Sequence, residues 1–117
     1  MSKFIRTKYG IYEVESEFLD NEGKWVGYNI VGNDIAIILR TQVINQADTI
    51  EELCDEFVLY DNQLKTYGVF DKKVITFKWI QNHSTIYKGM TIYGAIWTSK
   101  GLIYVAKMDK KGDLELI

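Results

Sequence analysis

Two side chains in this sequence are of the types that most often act as a nucleophile or a general base: the single histidine, His83, and the single cysteine, Cys54. A catalytic triad pairs a histidine with a nucleophile and a carboxylate, and the sequence has no G-x-S-x-G turn or comparable signature. His83 lies in the polar run 81–84, which is typical of a surface loop. Cys54 has Asp55 beside it and apolar residues at helical spacing, and both conditions oppose a thiolate. We therefore expect a loop histidine, a buried cysteine, no catalytic residue and no enzymatic activity.

Metal and cofactor sites are not predicted either. One histidine and one cysteine cannot supply a tetrahedral zinc site within one chain, and the sequence contains no Asp-rich calcium loop. Glu13, Glu15 and Glu17 alternate along a predicted strand, a pattern typical of a solvent-exposed face. The nine glycines are scattered, whereas a phosphate-binding loop clusters them before a helix. We expect no metal ion and no cofactor.

Acidic residues are concentrated in a segment whose spacing predicts an amphipathic helix over residues 49–57. Its apolar side chains recur at i, i+3, i+4 and i+7: Ile50, Leu53, Cys54 and Phe57. Its opposite face carries Glu51, Glu52, Asp55 and Glu56. Thr49 and Glu52 have the spacing of a capping box. The acidic face is either a solvated surface or a docking site for a partner protein, and the second interpretation makes these four acids the leading candidate binding site.

Charge is unevenly distributed along the chain, although the formal net charge is only −2. Residues 1–59 carry 5 basic and 11 acidic side chains, whereas residues 60–117 carry 9 basic and 5 acidic ones. The two halves can attract each other within one fold, or the acidic half can face a basic partner.

The basic half suggests an alternative function, the binding of single-stranded nucleic acid. Aromatic side chains on a sheet stack with bases while basic side chains contact phosphates. The lysines expected to make those contacts are Lys72, Lys73, Lys78 and Lys88. The aromatic residues of the same half are Trp79, Tyr87, Tyr93, Trp97 and Tyr104. A pI near 5.4 and the need for aromatic side chains in a core rank this function below protein binding.

The first 45 residues predict two β-hairpins. A turn at Tyr9–Gly10 would place Ile5 opposite Val14 on the apolar face of the first hairpin. In the second hairpin, strands 25–31 and 34–43 flank Gly32–Asn33, with Tyr28 opposite Ile37. That register puts Trp25 across from Arg40, where a cation can sit over the indole ring.

The remaining chain predicts further strands. Runs 90–98 and 102–108, joined by a turn with Gly101, form a hairpin whose strands are apolar on both faces, as central strands are. Residues 114–117 can add an edge strand. Residues 71–81 favour a strand because they are rich in β-branched and aromatic side chains, but their apolar spacing also fits a helix.

Together these elements predict an α+β fold, a mainly antiparallel sheet of about five to seven strands with one amphipathic helix, residues 49–57, packed on it. The length is that of a single domain spanning residues 1–117, and we detect no internal repeat in the sequence. No apolar run reaches the length of a membrane helix, and a single cysteine fits a reducing compartment, so we expect a cytoplasmic protein. A homo-oligomer is compatible with the sequence.

Three segments, KFIRTKYGIYEV, ADTIEELCDEFV and YGAIWTSKGLIYVAKMDKKGDLEL, resemble small uncharacterised proteins of Gram-positive bacteria and of their phages or mobile elements. They cover residues 3–14, 47–58 and 93–116 and contain no catalytic motif. The resemblance implies a cytoplasmic accessory protein that acts by binding another protein, for example as an inhibitor of a host or defence factor.

Overall fold

A computed structural model describes residues 3–60, 66–83 and 91–117. The chain divides into two compact units, Met1–Leu53 and Cys54–Ile117, so the single domain stays a prediction. The strands of the first unit are β1 (Phe4–Arg6), β2 (Ile11–Leu19), β3 (Trp25–Ile30), β4 (Asn33–Leu39) and β5 (Asn45–Ala47). The second unit contains β6 (Glu56–Tyr60), β7 (Thr66–Asp71), the helix α1 (Phe77–Asn82), β8 (Thr91–Thr98), β9 (Gly101–Met108) and β10 (Leu114–Leu116).

The first unit is an antiparallel sheet of order β4-β3-β2-β1-β5. The long strand β2 pairs with β1 over its first residues and with β3 over the rest. The core of the first unit contains the buried side chains of Ile5, Tyr28, Ile30 and Ile38. A 3-10 helix, Arg40–Gln42, leads from β4 to β5.

The first predicted hairpin is present, but its register is shifted by two residues. Ile5 pairs with Tyr12 instead of Val14, because the turn is centred on Lys8 and Tyr9 rather than on Tyr9–Gly10. The Thr7 backbone N–H donates to the Gly10 carbonyl over 2.9 Å, and the Thr7 Oγ1 accepts from the Tyr9 N–H over 3.1 Å. A shift of two keeps every side chain on its predicted face.

The second hairpin is also present, with Tyr28 opposite Ile38 rather than Ile37. The register changes between Asn29, which lies opposite Ile37, and Ile30, which lies opposite Asn33. Three residues of β4 therefore lie between these two pairs, and this irregularity alters the register that a regular ladder from the turn would have. The predicted contact of Arg40 with Trp25 is confirmed, since the Arg40 Cζ lies 5.5 Å from the indole centroid.

The second unit is an antiparallel sheet of order β10-β9-β8-β6-β7. The predicted C-terminal hairpin is confirmed in β8 and β9, with Gly101 at φ +106°. β8 and β9 are central strands, as predicted, and β10 is the edge strand next to β9. One face of the sheet is buried, with Phe57, Leu59, Ile92 and Ile96 each at most 3% exposed.

The α+β prediction is wrong, because residues 49–57 do not form a helix. Residues 48–50 form a bend, residues 51–53 form a turn, and β6 begins at Glu56. Thr49 does not act as a cap, since its buried Oγ1 has no hydrogen-bond partner among the described residues. β6 pairs with β7 on one side and β8 on the other, and this pairing outweighs the local helical preference. The described part of the chain is mostly β, with ten strands instead of five to seven.

The strand favoured for residues 71–81 is also wrong, and the helical alternative applies to the end of that segment. α1 begins after Thr76, whose Oγ1 accepts from the Trp79 N–H over 3.1 Å. Thr76 therefore caps the helix, and Phe77 and Ile80 are its buried residues. The ring of Phe77 lies 5.7 Å from that of Phe57 on β6.

The two units share a repeated element that the sequence analysis did not detect. β1–β2–β3, the first meander, and β8–β9–β10, the second meander, are both joined first by a T-x-x-G turn and then by a D-x-x-G turn. Their first hairpins have the same register, because Ile5 pairs with Tyr12 as Ile96 pairs with Ile103.

The turn hydrogen bonds of the two meanders also agree. The Thr98 Oγ1 accepts from the N–H two residues later over 3.1 Å, as the Thr7 Oγ1 does over the same distance. Asp20 and Asp109 each accept two backbone N–H groups in the second turn. In each unit the first strand of the meander also pairs with a further antiparallel strand, β5 or β6.

Candidate functional site

A cluster of aromatic side chains, two exposed and two half-buried, lies on one face of the second unit's sheet. The pairing of β6 with β8 places Tyr60 and Tyr93 on the same face. The pairing of β8 with β9 places Tyr104 there too, opposite Ala95. Trp97 lies two residues beyond Ala95 on β8 and therefore shares that face. We call Tyr60, Tyr93, Trp97 and Tyr104 the tyrosine face.

The three tyrosines contact one another. The rings of Tyr93 and Tyr104 are stacked, with centroids 5.0 Å apart and planes inclined by 23°. Tyr60 meets both edge-on, at 5.4 Å from Tyr93 and 6.2 Å from Tyr104. The phenol oxygens of Tyr60 and Tyr104 are 2.6 Å apart, a hydrogen-bond distance. Edge-on and offset arrangements are those that aromatic pairs prefer, so the cluster is ordered by its own contacts.

Hydrogen bonding makes Tyr104 a weaker acid than an ordinary tyrosine. The bond to Tyr60 is the main reason that the pKa of Tyr104 rises from 10.0 to about 12, and burial and the nearby Tyr60 and Tyr93 add to the rise. A tyrosine that acts as a base or nucleophile near neutral pH needs a lowered pKa. Tyr104 is therefore a neutral hydrogen-bonding and stacking group at physiological pH.

Trp97 is held in place at both its backbone and its side chain. Its N–H donates to Asp55 Oδ2 over 2.8 Å, and its indole Nε1–H donates to Glu56 Oε1 over 3.0 Å. The side chain nevertheless remains 56% exposed. Two of the four acids predicted as a docking surface thus position an exposed tryptophan.

The four acids do not share a helical face. Glu51 and Glu52 lie in the turn that ends the first unit, whereas Asp55 and Glu56 lie at the start of the second. The predicted surface depended on a helix that would align all four side chains, and the structure has no helix there.

Three of the four lysines predicted for nucleic-acid binding lie outside the strands of the tyrosine face. Lys72 and Lys73 follow β7 in a turn, and Lys78 is exposed on α1. Lys88 lies outside the described residues. A lysine that the sequence analysis did not choose, Lys107, has its Nζ 5.9 Å from the ring centroid of Tyr93.

Three members of the tyrosine face, Tyr93, Trp97 and Tyr104, belong to the aromatic residues of the basic half, for which the prediction favoured a place in the core. Tyr60 was not predicted to be part of a binding surface. The available signal was alternation along 92–97, where Ile92 and Ile96 occupy the other face of β8 and fill the core.

His83 contacts the side chain of Trp79, and Cys54 lies in the core. The imidazole of His83 stacks on Trp79 at 3.9 Å between centroids, and its Nδ1 lies 2.8 Å from the Trp79 carbonyl oxygen. Cys54 is fully buried, as predicted. The residues that the structure describes include no group of three or more His, Cys, Asp or Glu side chains that could hold a metal ion.

Within the described ranges, no helix has the length and apolar character required to cross a membrane. Comparison with protein-family models, with curated proteins and with solved structures gives no match.

Proposed function

We propose that this chain is a non-enzymatic protein-binding protein and that the tyrosine face is its binding surface. The observation that carries the proposal is the exposure of ordered aromatic side chains: Trp97 is 56% and Tyr104 is 41% exposed. Tryptophan and tyrosine are among the residues most enriched in interface hot spots. The proposed surface replaces the acidic helix face, which does not form.

The hairpin itself does not require aromatic residues at these positions. The first meander forms the same hairpin in the same register, and there Arg6 takes the place of Trp97 and Glu13 the place of Tyr104. Because the turn and the strand pairing form with charged residues at those positions, folding alone does not explain the aromatic side chains of the second meander.

The side chains of the tyrosine face are ordered before a partner binds. Glu56 fixes the indole of Trp97, and Tyr60 fixes the phenol of Tyr104. Association costs roughly 0.5–1.5 kcal/mol for each flexible side chain that it immobilises. Rigid aromatic side chains avoid much of that cost, which is why they serve as interface anchors.

Charges near the tyrosine face are of both signs. Glu56 contacts Trp97, and Lys107 lies near Tyr93. The exposed Glu115 of β10 lies opposite Lys107 of β9 in the strand register. A polyanion needs an excess of cations on the surface that it contacts. Mixed charge around aromatic anchors favours a protein partner.

The resemblance of three segments to proteins of Gram-positive bacteria and their phages supports a narrower form of the proposal. A cytoplasmic accessory protein of a phage or mobile element acts by binding a host or competitor protein, and inhibition of a host or defence factor is the form we propose.

Affinity capture from Gram-positive lysate, followed by mass spectrometry, tests the proposal with three baits. These are the wild type, the Trp97→Ser/Tyr104→Ser variant, and a Leu19→Ser/Val74→Ser control that removes exposed apolar side chains elsewhere. We expect a protein captured by the wild type and the control but lost with the first variant. Identical capture by all three baits would show that the tyrosine face does not bind.

Single-stranded nucleic-acid binding is the second candidate, and the position of Lys107 near Tyr93 favours it. A fluorescence-anisotropy titration with a labelled single strand at low and moderate salt decides this point, because phosphate contacts weaken steeply as salt rises. Binding that is lost in the Trp97→Ser/Tyr104→Ser variant supports it. Alanine at Lys72, Lys73, Lys78 and Lys88 tests the lysines chosen from the sequence. Absence of binding at low salt eliminates this function.

A further inference from the structure

The first unit contains a groove of about 450 Å³ that the tyrosine face does not involve. Its walls come from the turn between β1 and β2 and the start of β2, from the end of β4, and from the 3-10 helix together with the segment that follows it. The aromatic and aliphatic side chains of Tyr9, Tyr12, Ile37 and Ile44 provide most of the apolar lining. Volumes of this size are typical of ligand sites.

The groove has a buried floor and an exposed apolar rim. Thr7 and Ile38 are at most 9% exposed, whereas Tyr9 is 64% and Ile44 is 65% exposed. A small ligand is usually enclosed on most of its surface. An open groove with apolar sides suits an extended segment, which inserts some side chains and leaves its ends in solvent.

The charge of the groove differs from that of its unit. Residues 1–53 carry 5 basic and 9 acidic side chains, yet among the described side chains that line the groove the charged one is Lys8. Its Nζ lies 5.1 Å from the ring centroid of Tyr9, so the cation is at the rim. Thr41 and Gln42 add neutral polar groups.

We propose that this groove binds a short extended peptide in which apolar residues flank an aspartate or glutamate. The apolar side chains cover Tyr9, Ile37 and Ile44, and the carboxylate pairs with Lys8. This inference does not rest on the proposed function of the tyrosine face, and either proposal can be disproved without affecting the other.

Selection from a displayed library of random short peptides, with the full chain as the target, tests the groove. An enriched peptide is then synthesised with a fluorescent label and titrated against the wild type and four variants, one of which is Trp97→Ser/Tyr104→Ser from the tyrosine face. Lys8→Glu reverses the charge at the rim, and Ile44→Ser removes an apolar wall. Lys100→Glu is the matched control, because Lys100 is an exposed lysine in the corresponding turn of the second meander.

We expect enriched peptides to share an acidic residue beside apolar ones. Reversing one exposed charge should raise the Kd about three- to tenfold, Ile44→Ser should also raise it, and Lys100→Glu should leave it unchanged. Circular dichroism confirms that each variant is folded. Failure to enrich any peptide, or a peptide whose Kd does not respond to Lys8→Glu, overturns the proposal. A peptide whose binding is lost in the Trp97→Ser/Tyr104→Ser variant binds the tyrosine face rather than the groove, and this result also overturns the proposal.

Discussion

The hydrogen bond between Tyr60 and Tyr104 predicts an unusual titration. The largest cause of the raised pKa of Tyr104 is its bond to the Tyr60 hydroxyl. Tyr60→Phe keeps the ring and its edge-on contacts but removes that hydroxyl. The pKa of Tyr104 should therefore fall from about 12 toward 10.0, and it should stay above 10.0 because burial and Tyr93 still oppose ionisation.

The same bond links stability to pH. The folded chain holds the Tyr104 proton more tightly than the unfolded chain, in which the pKa of a tyrosine is near 10. Stabilisation from the cluster is therefore complete below about pH 10 and is lost as the pH rises through about 12. Tyr60→Phe should narrow the pH range over which this stabilisation is lost, because it lowers the pKa of Tyr104 in the folded chain.

Carbon NMR of chains labelled at the tyrosine ζ-carbon measures the effect, because each of the eight tyrosines gives its own resonance. Tyr9→Phe is the control, since Tyr9 is exposed and belongs to the other unit. It should leave the midpoint of Tyr104 unchanged. A midpoint near 10 in the wild type, or one that Tyr60→Phe does not move, would refute the described cluster.

Three further predictions concern the scaffold. A Cβ at Gly94 would lie 2.6 Å from Cys54 Sγ, so Gly94→Ala should lower the free energy of unfolding in urea by about 1–3 kcal/mol. Adding Cys54→Ala should recover part of that loss, and strictly additive effects of the two substitutions on the free energy of unfolding would contradict the contact. Thr7→Ala and Thr98→Ala each remove a matched turn hydrogen bond and should each cost about 0.5–1.5 kcal/mol; an effect at only one of them would contradict the equivalence of the two turns. Thr76→Ala should weaken α1 by about 1 kcal/mol and speed amide exchange within it, and unchanged exchange would exclude the cap.

The hairpins could be predicted because their signals are local. Turn residues and alternating side chains specified β8, β9 and the edge strand β10, and they identified the contact between Trp25 and Arg40. The registers were less accurate. A bulge between Asn29 and Ile30, or a turn moved by one residue, depends on backbone geometry that side-chain patterns do not specify.

The helix prediction identified the buried residues but gave them the wrong conformation. Ile50, Leu53, Cys54 and Phe57 are all at most 5% exposed. Their helical spacing arises because a turn and the start of a buried strand also place these side chains inside. β6 is a strand because it pairs with β7, the next strand of the chain, and with β8, which is distant in sequence. The pattern within residues 49–57 contains neither partner and so could not reveal this pairing.

The tyrosine face could be predicted only in part. Alternation along β8 separates Ile92 and Ile96 from Tyr93 and Trp97, but it does not say which face is buried. Tyr60 joins the cluster through the pairing of β6 with β8, which requires the sheet order.

The most direct test of the central claim is photo-crosslinking from the tyrosine face in Gram-positive cells. A photoreactive phenylalanine analogue replaces Tyr104 in one chain and Glu13, its counterpart in the first meander, in another. We predict that the position of Tyr104 crosslinks to one specific protein and that the position of Glu13 does not. Equal crosslinking from both positions, or a crosslink to nucleic acid alone from the position of Tyr104, would contradict a protein-binding tyrosine face.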